Sequence, residues 1–246
     1  MNPLSMPAND IHILSTRFLN EELVEKAALH NLYIDAEAFI QNIPDVTTAT
    51  VDAITALSLQ SITAVFTSIH AVEVVKSELV NLPPWKIFCT GGATKEALLD
   101  IFDESSIIAT AKNASGLAEK ILQYNDIRKV IFFCGKQRLN DLPETLQASG
   151  VEVQEIIVYQ TIGTPKTIHK NYNGILFFSP SGAHSFFSVN TIPLSTVIFS
   201  IGKTTSATVE SYCSNPVITS QWPGEANLVE LMIDHFKKTS GIENKI

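Results

Sequence analysis

Basic residues are scarce. Lysine and arginine number 17 against 25 aspartates and glutamates, a formal net charge of −8. A nucleic-acid binder needs a basic face, so that class of partner is excluded. Cysteine is scarcer still: Cys89, Cys134 and Cys213 lie far apart, odd in number, in the small or apolar settings "IFCTG", "IFFCG" and "SYCSN". That argues against a disulfide framework or a zinc site, and for reduced, mostly buried thiols in a cytoplasmic protein. No stretch approaches the roughly 18 to 20 apolar residues of a membrane span, so no membrane partner is expected. The opening "MNPLSMPAND" has neither a basic n-region nor an apolar h-region. It reads as a short disordered lead rather than a signal peptide.

Several catalytic signatures are also missing. "GKTT" at 202–205 has the tail of a phosphate-binding loop but lacks the upstream glycine at the needed spacing. No G-x-G-x-x-G follows a strand. The histidines at 12, 30, 70, 169, 184 and 235 show no metal-ligand spacing. Neither a nucleophile elbow nor a Cys–His arrangement is evident.

What the chain has is an internal repeat. Displaced by 111 residues, Phe66-Thr67-Ser68 falls on Phe177-Phe178-Ser179, Phe88 on Phe199, Gly91 on Gly202 and Thr94 on Thr205. Further on, "SGLAEKIL" at 115–122 falls on "ANLVELMI" at 226–233. A constant offset over this length marks duplication of a whole α/β unit. A second correspondence has a different offset, "IHILSTRFLNEELVEKAALHNL" near the start against "VIFFCGKQRLNDLPETLQASGV" at 130–151. The N-terminal piece therefore matches the end of the first long repeat, a unit that the second long repeat lacks. The inference is two similar domains, 10–33 plus 166–246 and 41–151, with the N-terminal strand and helix completing the C-terminal domain. The connectors, 34–40 and 152–165, are extended and β-rich. "LYIDAEAFI" and "VEVQEIIVYQTIG" are expected to lie side by side as a two-stranded hinge ribbon facing a cleft.

Each repeat reads strand, turn, helix. "AVFTS" and "ILFFSPS" are short apolar runs suited to strands buried on both faces. Ala71, Val72, Val75 and Leu79 then follow at helical spacing. This alternation predicts parallel sheets covered by helices, with ligands beyond the carboxyl ends of the strands. The residues shared at those ends are Ser, Thr and Gly, at helix starts where amide N–H groups are unpaired and the dipole favours anions. Ser68, Ser179, Thr94 and Thr205 read equally as ordinary N-caps. Their recurrence at equivalent places favours an anion cradle, although common ancestry would preserve caps as well. His70 and His184 follow the repeated turns at non-equivalent places and read as first-turn helix residues or ligand contacts.

Taken with their distances, "ILSTR", "VFTSIHAV", "GGAT", "IFFCGKQR", "VEVQEIIVYQT", "FFSPSGAHSF" and "IGKTT" resemble the uroporphyrinogen-III synthase family nearly end to end. The resemblance implies two flavodoxin-like parallel-sheet domains joined by a β-ribbon, with the first strand and helix traded to the far domain. It implies cofactor-free cyclisation of hydroxymethylbilane to uroporphyrinogen III, with loss of water and inversion of ring D. A transient hand-over from hydroxymethylbilane synthase is a further expectation. On this reading the repeat supplies two copies of an anion-binding turn to a polycarboxylate, without lysines having to neutralise it. The ribbon tyrosine of "VYQT", Tyr159, is the candidate general acid, since a phenol stays protonated at neutral pH; packing is its alternative role. The substrate-binding candidates are Arg17, Thr67, Ser68, Thr90, Gly91, Thr94, Arg138, Ser179, Ser181, Gly182, Ala183, Gly202, Lys203, Thr204 and Thr205. Arg17 and Arg138 occupy corresponding turns and are expected either to meet propionates or to be solvated.

Three places depart from the family pattern: "STRF" replaces Thr-Arg-Pro, His70 replaces another polar residue, and "GKQR" is a loose Gly-x-x-x-Arg turn. A non-catalytic two-domain binding protein for an anionic small molecule is the rival reading, and a family member that binds tetrapyrrole without turnover is a third. Nothing marks a dimer surface, and a monomer is the default.

Overall fold

The computed structural model describes residues 10–222 and 224–239; residues 1–9 of the N-terminal lead lie outside them. Two units divide the described chain, one formed by the residues up to Gln41 with those from Ile162 on, the other by Asn42–Thr161.

In the first unit β1 (Ile11–Ser15), α1 (Glu21–Ala28) and β2 (Leu32–Ala36) come from the N-terminal end of the chain. In the second, β3 (Ile40–Pro44), which starts just before the division, leads to α2 (Thr48–Ser58), β4 (Thr63–Phe66), α3 (Ile69–Glu78), β5 (Lys86–Thr90) and α4 (Ala93–Leu99). Then follow β6 (Ile107–Ala111), α5 (Ala114–Leu122), β7 (Lys129–Gly135), α6 (Asp141–Ala148) and β8 (Glu152–Gly163). The chain returns to the first unit with β9 (Gly174–Phe177), α7 (Pro180–Phe187), β10 (Val197–Ser200), α8 (Lys203–Glu210), β11 (Val217–Thr219) and α9 (Glu225–Thr239).

The sheet of the first unit has the order β11-β10-β9-β1-β2, all parallel. The N-terminal strand is thus an interior strand of the C-terminal sheet, with Ile13 opposite Gly174 on one side and Ile34 on the other. Its successive Ile13 and Leu14 are both apolar and fully buried because both faces are covered. Ile13 faces Ala27 of α1 and Leu228 and Met232 of α9, whereas Leu14 faces Ala183 and Phe186 of α7 and Val209 of α8.

The second sheet has the order β3-β8-β7-β4-β5-β6. Phe66, Ile87 and Phe133 pack against α2, α3 and α4; Val65, Phe88 and Phe132 pack against α5 and α6. Phenylalanines 66, 88, 132 and 133 are fully buried here, as are 39, 177, 186 and 199 in the first unit. Each contributes roughly 1.5–3 kcal/mol of transfer free energy. Burial raises the Cys89 thiol to about 11 and Cys134 to about 12, so both are unreactive structural thiols.

The duplication is visible in both order and packing. Reading β6-β5-β4-β7-β8 beside β11-β10-β9-β1-β2 matches strand for strand, with β1-α1-β2 in the place of β7-α6-β8. The buried face of α5, Leu117, Ala118 and Ile121, recurs 111 residues on as Leu228, Val229 and Met232 of α9. The units differ before β4 and β9. Where α2 precedes β4, the segment 164–173 precedes β9 without a helix. It is fastened by Lys166–Glu37 (2.6 Å), Lys170–Asp35 (2.8 Å) and Tyr172 Oη donating to Asp35 (2.9 Å).

The ribbon differs from the sequence expectation. Residues 32–36 do not pair with 151–163; they form β2, the edge of the first sheet, because Leu32 and Ile34 cover the α1 side of the core. The partner of β8 is β3. Asp45 N–H donates to Val158 O and Thr164 N–H to Phe39 O, so β3 and β8 run in opposite senses. The first part of β8, from Glu152 to Tyr159, is a parallel neighbour of β7.

Candidate active site at the carboxyl ends of the strands

In both units the candidate residues cluster where strands hand over to helices. Beyond β4, Ser68 is in an extended conformation and caps α3, its Oγ accepting from His70 N–H (3.2 Å). Beyond β9, Ser179 caps α7 in the same way, accepting from Gly182 N–H (3.0 Å). These two match the N-cap reading. Thr94 and Thr205 do not: they lie inside α4 and α8, 7% and 3% exposed, and the caps are Gly92 and Gly202. Those threonine side chains are turned into the protein because they follow the cap by two and three positions, on the inward face of the first turn. Gly92 takes φ 66°, a left-handed conformation that favours glycine.

The amides can be sorted by what already uses them. In "SPSGA", Pro180 has no N–H, Gly182 N–H bonds Ser179 Oγ, and Ala183 N–H bonds Ser179 O. Ala183 itself is buried. Only Ser181, half-buried, keeps an amide and a hydroxyl without partners among the described residues. Gly91 N–H is spent on Ala111 O (2.9 Å). At α8 the glycine cap supplies no side-chain acceptor, so the first-turn amides have no side-chain cap. Exposed Lys203 and Thr204 stand there. Lys203, with Ile201, Gly202, Thr219 and Gln221, borders a cavity of about 490 Å³. In the second unit Thr67 directly follows β4 and Thr90 ends β5, both half-buried.

Both arginines are already paired. Arg17 binds Glu225 at the start of α9 (2.6 Å) and lies 4.4 Å over the Phe178 ring. Arg138 binds Glu155 of β8 (2.6 Å), with both side chains about three-quarters buried and its Nε without a partner. Neither glutamate was marked by the sequence, since each pairing joins a turn residue to an element elsewhere in the chain.

Tyr159 owes its orientation to a β-bulge. Cys134 pairs with Ile157 but Gly135 pairs with Tyr159, so one extra residue is accommodated in β8. Consecutive strand residues normally face opposite sides. Here Val158 and Tyr159 both pack on the cluster that contains Phe66 and Phe133. Bulges beside functional sites re-aim side chains in this way. The phenol lies over Gly135 and edge-on to His70, ring centroids 5.7 Å apart, and His70 Nδ1 is 3.1 Å from Glu73. Tyr159, His70, Glu73, Ser77, Asn42 and Pro44 border a cavity of about 180 Å³. Just beyond, Gln137 closes a two-bond amide pair with the Thr161 backbone (3.1 and 2.9 Å), and Thr161 Oγ1 meets Asn42 Oδ1 (2.6 Å). Gly135 and Gln137 stood in the "GKQR" turn without a role assigned to them, and Asn42 escaped the sequence reading.

A larger cavity, about 780 Å³, lies at the opposite edge of the second sheet, beside the strand starts at Thr63, Lys86 and Lys129. Ligands of parallel sheets bind at the carboxyl ends, so size does not decide the site. His184 is exposed and bonded to Tyr212 Oη (2.7 Å), apart from the turns. Among the described residues, no group of His, Cys, Asp and Glu side chains is arranged to hold a metal ion, and no helix is long and apolar enough to cross a membrane.

Two solved structures share the architecture. One is a mutant uroporphyrinogen III synthase from the extremely thermophilic bacterium Thermus thermophilus, 13% identical, with a TM-score of 0.60 over 95% of this chain and 100% of that one. The other is uroporphyrinogen-III synthetase from Helicobacter pylori, 16% identical, with a TM-score of 0.64 over 92% and 99%. At such identities the likeness establishes the fold. No curated protein matches the sequence. The profile of uroporphyrinogen-III synthase HemD, however, matches residues 35–230, running from β2 through both sheets into α9. With that match over most of its length, the chain belongs to the uroporphyrinogen-III synthase HemD family.

Proposed function

We propose that this protein cyclises hydroxymethylbilane to uroporphyrinogen III, and that Tyr159 is the acid that starts the reaction. The carrying observation is the placement of the phenol: a bulge turns it onto the carboxyl end of the second sheet, between the turn after β4 and the turn after β7. Protonation of the ring-A hydroxyl lets it leave as water and gives an azafulvene. Ring D attacks that carbon through its substituted position, the spiro intermediate fragments, and reclosure leaves ring D inverted. The α-hydrogen lost as the last pyrrole regains aromaticity returns a proton, so the balance is loss of one water. The sequence is redox-neutral, and it needs no electron carrier.

Closure without guidance gives the uninverted isomer, so the protein's larger task is to hold the chain with ring D in the productive orientation. The open amides at the start of α8, with Lys203, Thr204 and Ser181, suit the carboxylates of the acetate and propionate arms. Thr67 and Thr90, half-buried at the strand ends, are the counterparts proposed in the second unit. We place the reaction in the cytoplasm, with substrate received from hydroxymethylbilane synthase. The test is to supply substrate freshly made by that synthase, oxidise the products, and resolve uroporphyrins I and III by chromatography. Predominantly isomer III is expected; isomer I alone from folded protein would overturn the assignment in favour of a binding protein.

A further inference from the structure

A Cβ added to Gly135 would lie 2.5 Å from Tyr159 Cζ, 2.7 Å from Cε2 and 2.9 Å from the phenol oxygen. Side-chain carbons do not tolerate such distances, so either the ring or the strand would have to move. The backbone does not demand glycine, because Gly135 is not among the residues with positive φ. The space demands it. Around this point the backbone is fixed on both sides: Lys136 N–H donates to Tyr159 O (2.9 Å), and Gln137 grips Thr161 two residues further on. With its backbone held, Tyr159 can answer a Cβ at Gly135 only by swinging its ring.

We infer that Gly135 is a positioning residue for the phenol: its bare Cα admits the Tyr159 ring over the end of β7, and the bulge at Val158 delivers the ring there. The inference rests on the catalytic reading of Tyr159 and adds the residue that sets where the acid stands. It also explains why the repeats differ at this turn. The equivalent strand in the first unit ends in Ser15 with Thr16 next, and Thr16 Oγ1 is committed to Leu176 O (2.8 Å).

The experiment is a double-mutant cycle on isomer III formation with the full chain. Gly135→Ala is expected to lower kcat on the order of 100-fold, the scale of an ångström's misplacement, with KM little changed and a larger share of isomer I. In the Tyr159→Phe background the same change is expected to cost little further, because the group it misplaces is already gone. An equal additional loss in that background would overturn the inference, since the clashing ring is still present and the damage would then be to the fold. So would a Gly135→Ala protein as fast as wild type. If Gly135→Ala alone does not fold, stability carries the test: Gly135→Ala added to Tyr159→Ala should leave the melting temperature unchanged, and a large drop would contradict the close-approach argument. A wild-type protein that makes no isomer III would defeat the proposed function instead, so the two failures remain distinct.

Discussion

Ser179 uses its hydroxyl on its own helix, Arg17 and Arg138 use their guanidinium groups on glutamates, and Gly91 uses its amide on the sheet. At the residue scale this intramolecular commitment is the main thing the sequence did not reveal. A serine before a helix, or an arginine in a turn, has the right chemistry for an anion, and only tertiary structure shows whether that chemistry is free. Arg138→Ala should therefore report on structure first. It strips the partner from Glu155 in a pair only about one quarter exposed, and a loss of about 1.5–3 kcal/mol in denaturant stability is expected. A second residue-scale expectation concerns pH. Burial against Phe199 and Phe236 lowers His235 below its ordinary 6.5. The unfolded chain then takes up the proton first, so stability is fullest above pH 6.5 and falls as the pH drops toward the lowered folded value. Asp35, lowered from 3.8 chiefly by its hydrogen bond from Lys170, contributes its own loss only below 3.8, outside that window. His235→Phe keeps the ring packing and should flatten the fall of the denaturation midpoint as the pH drops below 6.5; an unchanged slope would clear His235 of the effect.

Elements were legible where the hydrophobic pattern alone determines them. The strand–turn–helix units at β4–α3 and β9–α7 follow from apolar runs ending in Ser and restarting at helical spacing. The traded N-terminal strand followed from the second correspondence of repeats. What was not legible depends on pairing: β2 against β1 rather than β8, the bulge at Val158, and glycine caps where threonines stood nearby. A period-2 pattern says which face is buried and not which strand lies alongside. Trp85 shows the same limit within an element pair. Its ring stacks between Phe102 and Phe133 while Nε1–H donates to Leu57 O at the end of α2 (3.0 Å). Trp85→Phe keeps much of the stacking and leaves that carbonyl its bond from Gln60 N–H (3.1 Å), so the loss of the indole bond should cost about 0.5–1.5 kcal/mol in denaturant stability. A neutral result would mean that water replaces the indole there.

For the whole molecule, the net charge of −8 and the polycarboxylate substrate set a constraint on binding. Amides and helix starts can hold carboxylates without a basic surface, and the general field of the protein then opposes rather than assists capture. Raising ionic strength from about 0.05 to 0.3 M screens that repulsion, so KM for hydroxymethylbilane should stay level or fall. A steep rise would mean that Lys203, Arg17 and Arg138 dominate the grip as charges. Duplication explains how two sheets of one strand order each came to present such turns, and divergence explains why only one carries the phenol: Tyr159 belongs to β8, whose counterpart β2 ends at Ala36.

The claim on which the rest depends is that the Tyr159 phenol donates the proton, and it is best tested by measuring uroporphyrinogen III formation by Tyr159→Phe beside direct substrate binding. A general acid contributes on the order of 10²- to 10⁴-fold, so kcat should fall in that range while the dissociation constant is unchanged. Turnover equal to that of the wild type would contradict the account and reduce Tyr159 to packing against His70 and Gly135.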